Sequence, residues 1–271
     1  MNARFLAIPL LFAVFAAAQA PTTAPSSAAA TSQDPSARKA KQLLDQMIQT
    51  LGGQAYLSIQ DMSQEGRAYS FYQGKPSSTG TLFWLFWKFP DKQRVELTKQ
   101  RDVVTINNGD DGYEITYRGT ALEDKEQLQT YNRYRKHSLD NVLRVWLQKP
   151  NVALFYDGTA VAEQKATDSV TVMDGDDSVT IFIDRYTHLP VKKTFTWRDP
   201  MDRLRNEEAE IYDAFRPEQG VMTPHITVRS RNGETTSQRF ITAVKYNTGL
   251  SDSMFDAKVS FDPYQTPKRK K

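Results

Sequence analysis

The sequence predicts a mainly β fold of the α+β class, in which one long antiparallel sheet is covered by amphipathic helices. From residue 60 onwards, short segments rich in Val, Ile, Thr, Tyr and Phe alternate with frequent turn signals, a pattern typical of an antiparallel meander. Three other segments carry apolar residues at helical spacing, and each needs a sheet to cover its apolar face. We expect about nine or ten strands and a single domain over residues 34–260.

The first twenty residues are expected to form a signal peptide that is not part of the fold. Arg4 provides a positive charge, residues 5–17 form an apolar run, and residues 18–20 (AQA) match a cleavage site. The run is shorter than the about 20 apolar residues that a transmembrane helix needs. Residues 21–33 are rich in Pro, Thr, Ser and Ala and are expected to be a disordered linker. These features predict a periplasmic protein.

Composition excludes several classes of function. The chain contains no cysteine, so disulfides, thiol nucleophiles and cysteine-ligated metal sites are excluded. The formal charge is +3; removing Arg4 leaves +2, and removing the four basic residues 268–271 leaves −2. The basic character therefore belongs to a C-terminal tail, residues 261–271. Nucleic acid is not an expected partner, because its recognition needs basic residues concentrated on the folded surface.

The first ordered element is predicted to be an amphipathic helix. Asp34 is suited to cap it and Pro35 to occupy its first position. Apolar residues recur at helical spacing over 37–51, and Gly52 and Gly53 are expected to end the helix. One face of this helix must therefore lie on the sheet.

Residues 122–147 interrupt the strands and are predicted to form two consecutive amphipathic helices. This segment contains few turn signals, and its apolar residues again follow helical spacing. Ser138 or Asp140 can cap the second helix, and Pro150 is expected to terminate it.

The strands themselves are separated by short polar segments, because glycine, proline and asparagine favour tight turns. These turn signals occur at 73–76, 90–91, 107–109, 157–158, 174–175 and 231–233. The acidic segment 174–177 superficially resembles a calcium loop, but no glutamate follows at the required position. A polar turn is therefore expected there.

A cluster of charged residues lies near the predicted strands of the C-terminal half. Glu207, Glu208 and Glu210 occur close to Arg203 and Arg205. We expect them to form cross-strand charge pairs on a solvated face of the sheet, which would also discourage edge-to-edge aggregation.

The segment 81–89 carries the functional prediction, because seven of its nine residues are bulky and apolar. Alternation along a strand places Leu82, Trp84 and Phe86 on one face and the other four on the opposite face. Both faces therefore need cover. Either this is a central strand between two layers, or its outer face packs against a chain terminus, or one face lines a cavity that a ligand fills.

A ligand-filled cavity is physically reasonable for a curved sheet, since barrels of modest size can hold one apolar molecule. Each buried methylene contributes about 0.8 kcal/mol, so one fatty-acyl chain could gain on the order of 10 kcal/mol before entropy and cavity costs. The lining is predicted from strand 81–89, with the inward alternation left open, and the lid from the second helical segment. The candidate residues are Phe83, Trp84, Leu85, Phe86 and Trp87 for the lining, and Leu143 and Trp146 for the lid.

The sequence does not indicate catalysis. The three histidines, His137, His188 and His225, lack the spacing of a zinc site, and no G-x-S-x-G motif is present. A pair of catalytic carboxylates cannot be recognised from sequence alone, because their separation depends on the fold. We therefore predict that the protein is not an enzyme and has no catalytic residue, cofactor or metal.

Several phrases resemble one protein family over most of the chain after residue 33. They are FPDKQRVE at 89–96, IFID at 181–184 followed by LPVK at 189–192, YD at 212–213 with GVMTP at 220–224, and YNTGLSDSMF at 246–255. Together with the predicted signal peptide and a helix ending in Gly-Gly, they resemble divergent members of the bacterial outer-membrane lipoprotein-sorting proteins, the LolA/LolB-like group.

The resemblance implies an incomplete antiparallel β-barrel, a curved sheet with helices covering its concave side. The cavity between them would bind the acyl chains of a lipoprotein or another lipid without a covalent bond. Three hypotheses follow: a periplasmic lipoprotein or lipid carrier, a cell-envelope scaffold or stress-sensing module that binds a protein partner, and a hydrolase. A continuous apolar patch outside the sheet would favour the scaffold, and a polar cleft with converging carboxylates or histidines would favour the hydrolase.

Overall fold

The computed structural model describes residues 34–77 and 79–263. The predicted signal peptide, the predicted linker and residues 264–271 of the predicted basic tail lie outside the described residues. No helix in the described part of the chain is long and apolar enough to cross a membrane.

The described residues form one antiparallel sheet of fourteen strands. The strands are β1 (Asp61–Tyr72), β2 (Lys75–Pro76), β3 (Thr81–Lys88), β4 (Lys92–Leu97), β5 (Val103–Asn108), β6 (Asp111–Thr116), β7 (Gly119–Leu122), β8 (Ala153–Ala162), β9 (Lys165–Asp174), β10 (Asp177–Asp184), β11 (Pro190–Arg198), β12 (Arg205–Glu218), β13 (Val221–Arg231) and β14 (Glu234–Tyr246). The predicted number of nine or ten is too low. Residues 103–122 alone contain three short strands, because turns of two residues separate them.

The sheet is curved but not closed, as predicted. Its strand order is β7-β6-β5-β4-β3-β1-β14-β13-β12-β11-β10-β9-β8, and the short β2 pairs only with β1. The two edges, β7 and β8, are consecutive in the chain and are separated by a helical segment. The helices thus connect the two edges of an incomplete barrel.

Four helices accompany the sheet in the described residues: α1 (Pro35–Leu51), α2 (Gln54–Leu57), α3 (Lys125–Lys136) and α4 (Leu139–Arg144). The predicted ends of α1 and the predicted start of α4 are confirmed, whereas α4 ends at Arg144 and a 3₁₀ turn, Trp146–Gln148, lies between it and Pro150. The Asp34 side chain accepts a hydrogen bond from the Ser36 backbone N–H at 2.9 Å, and Gly52 caps α1 with φ of 130°. Ser138, one of the two predicted alternatives, caps α4 by accepting from the Asn141 backbone N–H at 3.1 Å.

The main core lies between α1 and strands β9 and β10. The apolar stripe of α1 is fully buried, as its spacing predicted. It packs on strand residues that alternate inward, among them Val170, Val172, Val179, Ile181 and Ile183, all at most 1% exposed. Burial of both surfaces fixes α1 across one part of the concave face.

Bulges contribute to the curvature, because an extra residue bends a strand and increases its twist. One bulge lies between Glu65 and Gly66 of β1, where a Cβ on the glycine would overlap the carbonyl oxygen of Phe240. Another involves the 157–158 segment, which was predicted to be a turn. That prediction is wrong: the segment lies inside β8, where the register shifts between Tyr156 and Gly158.

The outer face of the sheet is covered near β4 and β5 by the chain that follows β14. The Asp61 carboxylate at the start of β1 accepts hydrogen bonds from the backbone N–H groups of Thr248, Gly249 and Leu250 at 2.7, 2.9 and 3.2 Å. A 3₁₀ turn, Asp252–Phe255, follows and buries Phe255 completely against the outer face of β5. This segment therefore forms a second, smaller core.

Candidate functional site

A cavity of about 790 Å³ lies between the concave face of the sheet and the helices. Strands β1, β3, β4, β5 and β12–β14 form one wall, and α2, α3 and the start of α4 contribute to the other. Its apolar lining includes Leu51, Ile59, Met62, Leu85, Trp87 and Ile241. Protein pockets of roughly 300–1,000 Å³ are large enough to hold small organic ligands.

The alternation of β3 determines which predicted residues reach this cavity. Leu85 and Trp87 line it. Phe83 lies on the same face but is 2% exposed and packs in the main core, so it does not contact the cavity. Trp84 and Phe86 point to the outer face; the sequence alone did not predict which alternate residues of this strand point inward.

The outer residues of β3 have their own partners. The Trp84 indole N–H donates to a Glu65 carboxylate oxygen at 3.1 Å, and the Arg101 guanidinium lies 4.9 Å from the Trp84 ring centroid. Phe86 packs against the small outer core with Phe255. Two of the alternatives for this strand therefore hold together: one face lines a cavity, and the other packs against the C-terminal segment.

The two predicted lid residues are located in the core. Leu143 and Trp146 are 0% and 1% exposed and pack with the residues beneath α1, so neither lines the cavity. The ring of His137 packs edge-on against Trp146 at 5.7 Å and stacks on Phe195 at 4.3 Å. These side chains anchor α4 and the turn after it.

Helix α3 forms the part of the cavity wall that directly precedes α4 in the chain. None of its residues is fully buried, and Thr130, Tyr131 and Tyr134 line the cavity. Burial raises the pKa of Tyr131 to about 12, which keeps its hydroxyl protonated. Polar contacts hold the helix in place: Arg135 forms an ion pair with Asp110 at 3.0 Å, and Tyr134 donates to Glu208.

The cluster predicted on a solvated face is divided between the two faces. Arg203, Arg205 and Glu207 are exposed, but Glu208 is 0% exposed and Glu210 borders the cavity. This prediction is wrong for Glu208 and Glu210, because residues two apart share a strand face and this face is the concave one.

Glu210 is the centre of a buried ion-pair network. It accepts from the Arg229 Nε at 3.0 Å and from the Tyr212 hydroxyl at 2.9 Å, and the Lys193 ammonium lies 3.4 Å away. Burial alone would raise the pKa of Glu210, but the charges of Arg229 and Lys193 and the hydrogen bonds outweigh it and lower the pKa. Glu210 is thus a fully engaged anion and not a free acid or base.

Sequence reasoning missed this network. The available signal was Lys193, which stands between Val191 and Phe195 in an otherwise apolar alternation. A charged residue at a buried strand position indicates an interior partner of opposite charge.

The rings of His137 and His225 contact protein groups, whereas the buried Nδ1 of His188 has no hydrogen-bond partner in the part of the chain that the structure describes. The His137 ring contacts the Arg133 carbonyl oxygen at 2.8 Å and Asp177 at 3.0 Å, and burial lowers its pKa. His225 contacts the Ile241 carbonyl oxygen and Glu218, and His188 lies in a turn. Within the described residues, no group of three or more His, Cys, Asp or Glu side chains could hold a metal ion.

Comparison with solved structures places this geometry among known folds. A DUF1329 family protein from Desulfovibrio piger matches with a TM-score of 0.55 and 14% identity. A LolA superfamily protein from Nitrosomonas europaea matches with a TM-score of 0.51 and 12% identity. An outer membrane lipoprotein-sorting protein domain from Vibrio parahaemolyticus matches with a TM-score of 0.53 and 9% identity. Each match covers 80% of this chain and 97% of the other.

No protein-family model matches the chain, and no curated protein matches it in sequence. The similarity to solved structures therefore concerns the fold. It agrees with the resemblance seen in the sequence and with the open, helix-covered sheet. The chain has the fold of the LolA-like outer-membrane lipoprotein-sorting proteins.

Proposed function

We propose that the protein is a periplasmic carrier that binds the acyl chains of a lipoprotein or another lipid in its concave cavity. The single observation that carries this proposal is the cavity itself. The sheet encloses about 790 Å³ that neither the core nor the helices fill, although aromatic and aliphatic side chains line much of it. An apolar ligand would remove this surface from water, which stabilises the complex by about 25 cal/mol for each Å² of apolar surface buried.

The way in which α3 covers the cavity supports reversible binding. Helix α3 contributes no fully buried side chain; its contacts with the sheet are the ring packing of Tyr134 on Phe195, the ion pair of Arg135 with Asp110 and the hydrogen bond from Tyr134 to Glu208. Exchanging such contacts for water costs little compared with opening an apolar core. Movement of α3 would therefore admit a long chain while α1 keeps its apolar face buried on the sheet.

The direct test is to purify the full chain from a bacterial envelope with its own signal segment, extract it with organic solvent and identify bound acyl species by mass spectrometry. We expect about one acylated molecule for each chain. Repeated recovery without any lipid would contradict the carrier proposal. Lipid-free recovery together with a stable protein partner would support the scaffold hypothesis instead.

A matched pair of variants makes the test specific to the cavity. Val95 of β4 is half-buried and lines the cavity, whereas Ile115 of β6 is half-buried on the outer face against the small core. Val95→Trp fills cavity volume and should reduce bound lipid several-fold; Ile115→Trp adds comparable bulk outside and should leave the lipid content unchanged. Equal lipid content in both variants would locate the lipid elsewhere.

The fold similarity supports a carrier over an enzyme, and the predicted signal peptide supports the periplasm. Fractionation of cells that express the full chain tests the location, with release in the periplasmic fraction expected. The scaffold hypothesis would draw support from a bare apolar outer face, but at β3 this face is covered by Arg101 and the C-terminal segment.

A further inference from the structure

The cavity wall is not apolar throughout, and its charged part contains one group without a partner. Strands β12, β13 and β14 contribute Glu210, Arg229 and Arg239 to the lining. Arg229 forms an ion pair with Glu210 at 3.0 Å. Among the residues that the structure describes, the side chain of Arg239 makes no hydrogen bond and no ion pair; its guanidinium lies 5.7 Å from the centroid of the Phe83 ring.

The sheet around Arg239 supplies no counter-charge. Its cross-strand neighbours are Thr227 on β13 and Ala68 on β1. The residues two positions away on the same face, Ser237 and Ile241, are also uncharged. The register of β14 therefore places Arg239 directly opposite uncharged residues on both neighbouring strands, and the charged side chains that act on it are Arg229 and Glu210.

The nearest carboxyl groups already interact with other positively charged side chains. Glu210 already forms ion pairs with Arg229 at 3.0 Å and with Lys193 at 3.4 Å. Asp140, the other carboxyl group on this part of the wall, interacts with Tyr56 and Arg144. Arg239 is thus a positive charge on the cavity wall that has no ion-pair partner among the described residues.

This unpaired charge is costly on the cavity wall. Burial, together with the neighbouring Arg229, lowers the pKa of Arg239 to about 10, so the guanidinium stays charged at neutral pH in an environment that disfavours the charge. An anion brought into the cavity would relieve this cost. A guanidinium also offers two parallel N–H groups that match a carboxylate or a phosphate.

Building on the proposed function, we propose that Arg239 binds the anionic group of an amphiphile whose acyl chain occupies the cavity. The ligand class is then a lipid or fatty acid that carries a carboxylate or phosphate at one end. The aliphatic chain would lie along Leu85, Trp87 and Ile241, and the oxyanion would accept hydrogen bonds from Arg239. A neutral acyl compound would leave the guanidinium unpaired.

The test compares ligands of equal chain length on the delipidated protein by tryptophan fluorescence and calorimetry. The probes are palmitate, palmitoyl-lysophosphatidic acid, neutral hexadecanol, and inorganic phosphate without a chain. The variants are Arg239→Gln, Arg239→Lys as a charge-retaining rescue, and Arg216→Gln as a control on an exposed arginine of β12. Urea unfolding and circular dichroism establish that each variant is folded.

We expect the wild type to bind one of the anionic amphiphiles about tenfold more tightly than hexadecanol. Arg239→Gln should remove this preference, leaving hexadecanol binding within about twofold, and Arg239→Lys should retain part of it. Arg216→Gln should behave as the wild type. Comparing palmitate with the lysophosphatidic acid distinguishes a fatty acid from a phospholipid as the natural source.

Two different failures are distinguishable. If the wild type binds hexadecanol and the anionic amphiphiles equally, and Arg239→Gln changes nothing, the role of Arg239 is refuted while the carrier function stands. Binding of inorganic phosphate as tight as that of the anionic amphiphiles would also refute the amphiphile class. If the wild type binds none of the acyl compounds, the carrier function fails and the assignment of Arg239 fails with it.

Discussion

The substitution Glu210→Gln tests the buried ion-pair network most directly. It removes one negative charge with little change in shape and leaves Lys193, which is 1% exposed, and Arg229 without their counter-ion. Breaking one partner of a buried ion pair costs about 3–5 kcal/mol, because the remaining charge stays in a poorly solvated place. For a protein of this size, such a loss corresponds to a decrease in Tm of roughly 10 °C.

Equilibrium unfolding in urea at pH 7 measures this loss as a change in the free energy of unfolding. A matched control is Asp45→Asn, which breaks the exposed ion pair between Lys41 and Asp45 at 2.7 Å. That pair spans one turn of α1, and its removal should cost no more than about 0.5 kcal/mol. Our reasoning would be refuted if Glu210→Gln lost less than about 1 kcal/mol or no more than the control.

The pH dependence gives a second measurement of the same network. Because the pKa of Glu210 is lowered in the folded protein, its contribution is present above the ordinary glutamate pKa of about 4.3. The contribution is lost as the pH falls from there through the lowered pKa. The stability difference between wild type and Glu210→Gln should therefore shrink in acid. A difference that stays constant down to pH 3 would contradict this account.

Three further predictions concern other parts of the molecule. Leu143→Ala should destabilise the protein by about 3 kcal/mol in urea unfolding without changing the lipid content of the folded fraction, because the side chain is fully buried away from the cavity. Asp61→Asn should lower the free energy of unfolding by about 2 kcal/mol at pH 7. Because the backbone hydrogen bonds of Asp61 overcome burial and lower its pKa, the difference in stability from wild type should disappear as the pH falls below about 4; a constant difference would exclude this role. Because burial lowers the pKa of His137, the stability of the wild type should decrease as the pH falls below about 6.5, and His137→Gln should make that decrease smaller. Parallel curves of stability against pH for the two proteins would show that another group titrates.

Local chemistry made much of the architecture predictable. The ends of α1 follow from Asp34, Pro35 and Gly52, whose effects on backbone hydrogen bonding and φ do not depend on distant residues. The same holds for the Ser138 cap and for the period-two pattern of the strands. The strand count was underestimated, and 157–158 was mistaken for a turn, because a bulge and a turn use the same residue types.

The sequence by itself determined an antiparallel sheet with helices on one side and an apolar strand, β3, that needs cover on both faces. Only the tertiary structure decided which of its faces lines the cavity, that Leu143 and Trp146 belong to the core, and that Glu210 lies inside. These outcomes depend on partners far apart in the chain: Lys193, Glu210 and Arg229 stand on three different strands. A buried charge is tolerated only where such partners meet, and strand register brings them together in a way that no local pattern encodes.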